Sequence, residues 1–324
     1  MDAELRPLSL GEVLDRTFQL YRSHFLIFAG ISSFAAVLDL VWNLIQTATV
    51  RTVQTRVGVG TLGGVNVGFG LVHLVVYIVV SALAMAAISR AVSAIYLGQT
   101  TGIAQAYREV KPHWLRYVSL YVVAAFLAWG AAIILFIGVV LAAVTLQRGA
   151  AGQTTALVVM GVFGLSMLVL IPFGIWMTLR YSLANASAVF EDLGVRAALK
   201  RSVFLSKGAL QKTKIFVILF LTWVISAIIT YAGLAPLLFV VVRSVMNHAP
   251  PALSMGMTIY TLLVGFATTS VTIPIYAIGL TLFYYDARIR KEGFDVEWMM
   301  QRATPAEILL PMPEPPPAET VNLG

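Results

Sequence analysis

Six nearly uncharged apolar runs divide the chain, near residues 25–46, 69–95, 117–145, 156–183, 215–242 and 257–285. Each is long enough to cross about 30 Å of hydrocarbon, which takes about 20 helical residues. In that medium a backbone must satisfy its own polar groups, and a single helix does so locally where an isolated strand cannot. The sequence therefore predicts an all-α, polytopic membrane protein with six transmembrane helices. Composition agrees: only 11% of the 324 residues are charged, against about 25% in soluble domains. The runs are apolar nearly all round, so periodicity assigns no lipid-facing stripe.

Charge placement sets the orientation. With six spans, 18 of the 22 Lys and Arg residues fall on the side that holds both termini, and Arg51, Arg56, Arg148 and Arg243 fall on the other. Basic loops stay in the cytoplasm, so both termini are expected there. Fourteen of the 15 acids lie on that side too, the exception being Asp39. The net charge of +7 is thus spread over a mixed surface, and nucleic acid is not an expected partner. The N-terminal segment alternates charge and lacks a small-residue cleavage pattern, so it does not read as a cleaved signal. With no cysteine, thiol nucleophiles and thiolate metal sites are excluded. His24, His73, His113 and His248 show no metal-ligand spacing, and no cofactor is expected.

The cytoplasmic segments repeat. Ser9–Gly11, Thr100–Gly102 and Asp192–Gly194 each place a capping-type residue two before a glycine, with the glycines 91 and 92 residues apart. Each precedes a charged helical stretch and then a pair of spans, which predicts three tandem units of interfacial helix plus transmembrane hairpin. In the first, Ser9 and Glu12 have capping-box spacing, and the following residues form an amphipathic helix on the inner surface. "IPFGIWMTLRY" (Ile171–Tyr181) resembles "IPIYAIGLTLFY" (Ile273–Tyr284). Pro172 and Pro274 are expected to kink their helices, with neighbours satisfying the freed carbonyls. Pro236 is expected to break the fifth span. Residues 1–302 make the membrane domain. Residues 303–324, with six prolines, read as a disordered cytoplasmic tail.

Two places could carry chemistry. Asp39 is the one acid inside a span, and His73 lies at similar depth in the next. A charge there costs about 2.5 kcal/mol or more unless paired or wetted, so the two are expected to meet. Either they form a structural contact at the outer boundary or they mark a proton-linked or ion site. The second place is the basic stretch Arg196–Lys214. Arg196, Lys200, Arg201 and Lys207 are candidate contacts for anionic lipid, each worth about 1 kcal/mol near the surface, with Val203, Phe204 and Leu205 facing the interface. The glycine-rich segment Arg56–Gly70 lacks the Lys-Ser/Thr ending of a phosphate loop and is not read as one.

The densest charge is at "FYYDARIRKEGFDVE". Its Asp286, Arg288 and Asp295 do not match the spacing of CDP-alcohol phosphotransferase motifs, in which several carboxylates must converge on metal. Asp286–Arg290, Arg288–Glu292 and Lys291–Asp295 read instead as i,i+4 pairs on an exposed helix, which Gly293 ends. This stretch, with "RPLSLGEVLDRTFQLYRSHF" near the start and "EDLGVRAALKRSVFLSKG" in the middle, resembles bacterial multi-pass proteins of the glycerophosphoryl diester phosphodiesterase membrane-domain family. The resemblance spans most of residues 5–300 and implies a helical domain in a bacterial inner membrane. Some relatives append a catalytic barrel of about 250 residues. Only 22 residues follow Arg302, so the phosphodiesterase activity is not carried over. The expected function is non-enzymatic: a scaffold or accessory for envelope or lipid-related processes, with membrane lipid and an unidentified protein as partners. The alternative is a small-solute transporter or channel using Asp39 and His73.

Overall fold

The computed structural model describes residues 6–56, 59–96, 98–148, 153–247, 255–296 and 300. Among them the regular elements are all helical: α1 (Leu10–Ser23), α2 (Phe25–Arg56), α3 (Val59–Tyr96), α4 (Ile103–Val110), a 3₁₀ turn (Lys111–His113), α5 (Trp114–Arg148), α6 (Gln153–Tyr181), α7 (Ala184–Phe190), α8 (Val195–Leu205), α9 (Ala209–Met246) and α10 (Met255–Glu292). Helices α2, α3, α5, α6, α9 and α10 are the six long and apolar enough to cross a membrane.

The order repeats three times as a short helix followed by a long hairpin: α1 with α2–α3, α4 with α5–α6, and α8 with α9–α10. The register differs from the glycine alignment. Ser9 caps α1, whereas Gly102 and Gly194 themselves occupy the cap positions of α4 and α8. Cap to cap, positions 9, 102 and 194 are 93 and 92 residues apart. A serine cap supplies a side-chain acceptor, and a glycine cap leaves the first N–H groups to other partners. A further short helix, α7, lies between α6 and α8.

Helix α1 forms as its capping box dictates: Ser9 Oγ accepts the Glu12 N–H at 3.3 Å, and the Glu12 carboxylate accepts the Ser9 N–H at 2.7 Å. Its amphipathic face, however, does not lie open on lipid. Val13 and Thr17 are buried, and α1 packs on α10 and α2.

Helix α10 is the centre of the bundle. It packs along α2, α3 and α9, and its residues from Thr268 to Ile289 are largely buried. At Gly279 an added Cβ would sit 2.9 Å from Ile218, so this glycine sets the close approach of α9. The hairpin α5–α6 lies at the side, joined to the rest mainly through α3, α7, α8 and α9. The shared core gathers at one end, where α1, α4, α7 and α8 collect around Tyr117, Leu183, Ile215, Ile278 and Phe283. Elsewhere large apolar side chains such as Leu168 and Trp223 face outward, as a lipid-facing surface requires.

Proline is handled as expected at one position and differently at another. Pro274 cannot donate to the Ser270 carbonyl. Ser32 of α2 does so instead, with Oγ at 2.7 Å. Pro236, in contrast, does not break its span, because α9 runs unbroken from Ala209 to Met246. Beside the gap, the Tyr260 hydroxyl donates to the Gly233 carbonyl at 2.7 Å.

Candidate functional site

Asp39 and His73 meet across the α2–α3 hairpin. His73 Nε2 lies 2.7 Å from Asp39 Oδ1, and Trp42 stacks on the imidazole at 6.0 Å and 5°. Asp39 lies on α2 and His73 on α3, which pack along each other, so the hairpin brings the two together. The void beside them, bounded by Leu38, Tyr77, Val80, Thr269 and Ile273, measures about 10 Å³. That is about the room of one water.

A larger cavity of about 240 Å³ lies between α3, α5, α6, α7 and α10. Tyr121, Tyr181, Asn185 and Tyr276 bring polar groups to its wall, and it shares no lining residue with the void at Asp39. A third, open groove of about 770 Å³ runs beneath α4 and is lined almost wholly by apolar side chains such as Phe34, Val37 and Leu83.

The terminal charges are arranged differently from the exposed pairs expected of them. Asp286 is 1% exposed. One carboxylate oxygen accepts the Leu8 N–H at 2.8 Å, and the other accepts Lys214 Nζ at 3.0 Å. Arg290 reaches both oxygens, at 2.9 and 3.1 Å, so the predicted i,i+4 pair forms within a larger buried cluster. Lys214 and Arg290 also donate to the Leu8 carbonyl, at 3.2 and 2.7 Å. Both polar backbone groups of Leu8 are thereby satisfied by charged side chains from α9 and α10. The buried Asp286 carboxylate thus has its acceptor sites filled by two cations and an N–H.

A second cluster ties α8 to α10. Arg201 engages Glu191 through Nε at 2.9 Å and grips the Glu292 carboxylate with both terminal nitrogens. Arg288 Nε completes the chain of alternating charges, 3.1 Å from Glu292. Tyr284 donates to Glu191. Burial alone would lower the Arg201 pKa, but hydrogen bonds to Glu292 and Glu191 outweigh it and hold the guanidinium above its usual range. Lys291 does not take Asp295 as its partner. Its ammonium donates to the Phe204 and Lys207 carbonyls, at 2.6 and 3.1 Å, which closes the end of α8 onto α10.

The four candidate lipid contacts therefore divide. Arg196 and Lys200 are exposed on α8, and Lys207 is exposed in the turn after it. Arg201 is turned inward and held by two carboxylates. The helix ends at Leu205, so Lys207 lies beyond the helix that carries Arg196 and Lys200, and Leu205 is buried while Phe204 is exposed. Lys214, Leu8 and Glu191 are the residues that sequence reasoning left out. Their signal was the acid at position 286 directly after the apolar "FYY", a place where a carboxylate needs a partner from another helix.

Six apolar helices of spanning length and the collected short helices at one end define a multi-pass helical membrane protein. No family model matches the chain, and no curated protein or solved structure matches it.

Proposed function

We propose that this chain is a non-enzymatic scaffold or accessory protein of a bacterial inner membrane, with both termini in the cytoplasm, serving an envelope or lipid-related process. The observation that carries the reading is the construction of the short-helix end. Charged side chains there are spent on joining α1, α8, α9 and α10 to one another, which makes a rigid platform rather than a set of groups converging on a reactant. The exposed Arg196, Lys200 and Lys207 then lie on a fixed surface facing the membrane boundary. The excess of basic residues at this end supports its cytoplasmic placement. The terminal motifs support membership of the glycerophosphoryl diester phosphodiesterase membrane-domain class that they resemble.

Transport through Asp39 and His73 is the competing reading. The void of about 10 Å³ beside them speaks against an aqueous path at that depth.

The test is in-cell photocrosslinking from positions 196 and 200, with copurification and mass spectrometry of proteins and lipids. A reproducible protein partner crosslinked from these positions supports the scaffold. Crosslinks to lipid alone, with uptake of a small solute that depends on Asp39, would replace it with the transport reading. Orientation is checked separately: the chain has no cysteine, so Lys200→Cys should resist, and Met246→Cys should accept, an impermeant thiol reagent added to intact cells.

A further inference from the structure

The stretch from the end of α6 to the start of α9 carries more cations than nearby acids neutralise. Arg116 is paired with Asp192, Arg201 with Glu191 and Glu292, and Lys214 with Asp286. Among the described residues, Arg180 and Lys212 have no carboxylate partner. Both are held at the Trp176 ring. The Arg180 guanidinium lies 5.3 Å from the centroid of the Trp176 ring, and Lys212 Nζ lies 5.2 Å from the same centroid. Arg180 Nε is also buried with no hydrogen-bond acceptor. A buried N–H left unpaired costs free energy, and two unneutralised cations held at one ring repel each other. An anion bound at either cation would offset part of that charge.

We propose that Arg180, Trp176 and Lys212 form a binding site for the phosphate of an anionic phospholipid. A guanidinium presents a planar fork that matches phosphate oxygens, and an ammonium adds a point charge. Ser202 and Ser206 hold the Arg180 carbonyl at 2.9 and 3.2 Å, so the backbone beneath the site is fixed on α8. The surroundings select lipid over a free anion. Trp176 is part-exposed where interfacial tryptophans sit. Phe173, which packs on Trp176 from one turn earlier on α6, and Phe216, one turn after Lys212 on α9, are exposed and offer an apolar track for an acyl chain. Among the described residues no acid pairs with either cation, which favours an anionic lipid over a zwitterionic one. The site rests on the reading that this end of the bundle lies in the headgroup layer. It uses none of the sequence-predicted lipid contacts.

The experiment reconstitutes the full chain into phosphatidylcholine nanodiscs and titrates in brominated phosphatidylglycerol, reading tryptophan quenching. Wild type should show a saturable component that Trp176→Phe removes. Arg180→Gln and Lys212→Gln should each move its midpoint about fivefold, as expected for one cation near a lipid surface, and Lys200→Gln should leave it in place. An equal shift with Lys200→Gln would reduce the effect to diffuse attraction and overturn the site. So would equal quenching by brominated phosphatidylcholine. Displacement by millimolar inorganic phosphate would assign the site to a free anion and overturn the lipid. Should Arg180→Gln fail to fold, Lys212→Gln alone decides. Cysteine labelling at position 200 separates the outcomes: cytoplasmic labelling with a failed titration removes the site and leaves the topology standing.

Discussion

Lys214 Nζ lies 3.0 Å from a carboxylate oxygen of Asp286, joining the second turn of α9 to the last turns of α10 around the backbone of Leu8. Removing one member of a buried pair strands the other, at about 3–5 kcal/mol. Asp286→Ala should therefore be the most damaging single change at this end, since it orphans Lys214, Arg290 and the Leu8 N–H together. Lys214→Met should cost less, because Arg290 and Leu8 still hold the carboxylate. Thermal unfolding in detergent measures both, and equal losses would contradict this ordering.

For Asp39 and His73, a double-mutant cycle with Asp39→Asn and His73→Ala should show coupling. Polar contacts within membranes average about 0.6 kcal/mol and reach about 1.7 kcal/mol. Strict additivity in thermal stability would mean that the 2.7 Å contact contributes nothing.

Ser32 and Pro274 make a conditional prediction. Ser32→Ala should destabilise by about 1 kcal/mol, because it leaves the Ser270 carbonyl without a donor. In a Pro274→Ala background the restored N–H can take that carbonyl, so the same change should cost much less. An equal cost in both backgrounds would show that the serine acts through packing alone.

Glu12 provides a pH dependence. Hydrogen bonding to the Ser9 backbone, then to Arg6, draws its pKa from 4.5 down to about 2. A carboxylate with a depressed folded pKa contributes stability that is complete above the unfolded value and lost as pH falls through the folded one. The capping contribution should thus be present above about pH 4.5 and fade toward about pH 2. In Glu12→Gln, hydrogen exchange at the α1 amides should lose that part of its pH dependence.

Much of the membrane architecture was legible because it depends on local quantities. Span length, loop charge and the depth of Asp39 and His73 are each read within one segment or one hairpin. The relief of Pro274 was legible as a requirement, though not as Ser32. The clusters around Asp286 and Arg201 were not. Leu8 and Asp286 are 278 residues apart, and Arg201 and Glu292 are 91 apart. Nothing in the i,i+4 spacing of residues 286–295 distinguishes a solvated charge ladder from one that faces other helices. The α8 cations had the same ambiguity: Arg196, Lys200 and Arg201 sit on adjacent faces, and only the positions of Glu191 and Glu292 select which one turns inward.

The hold on Leu8 has a consequence for the order of assembly. The groups that grip its backbone come from α9 and α10, more than 200 residues later in the chain. The segment ahead of α1 is made before them and can settle only after α10 has entered the bilayer. A chain interrupted before Asp286 leaves that first segment unanchored. The short-helix end is therefore closed by segments far apart in the order of synthesis, and it is completed only once α10 is in place.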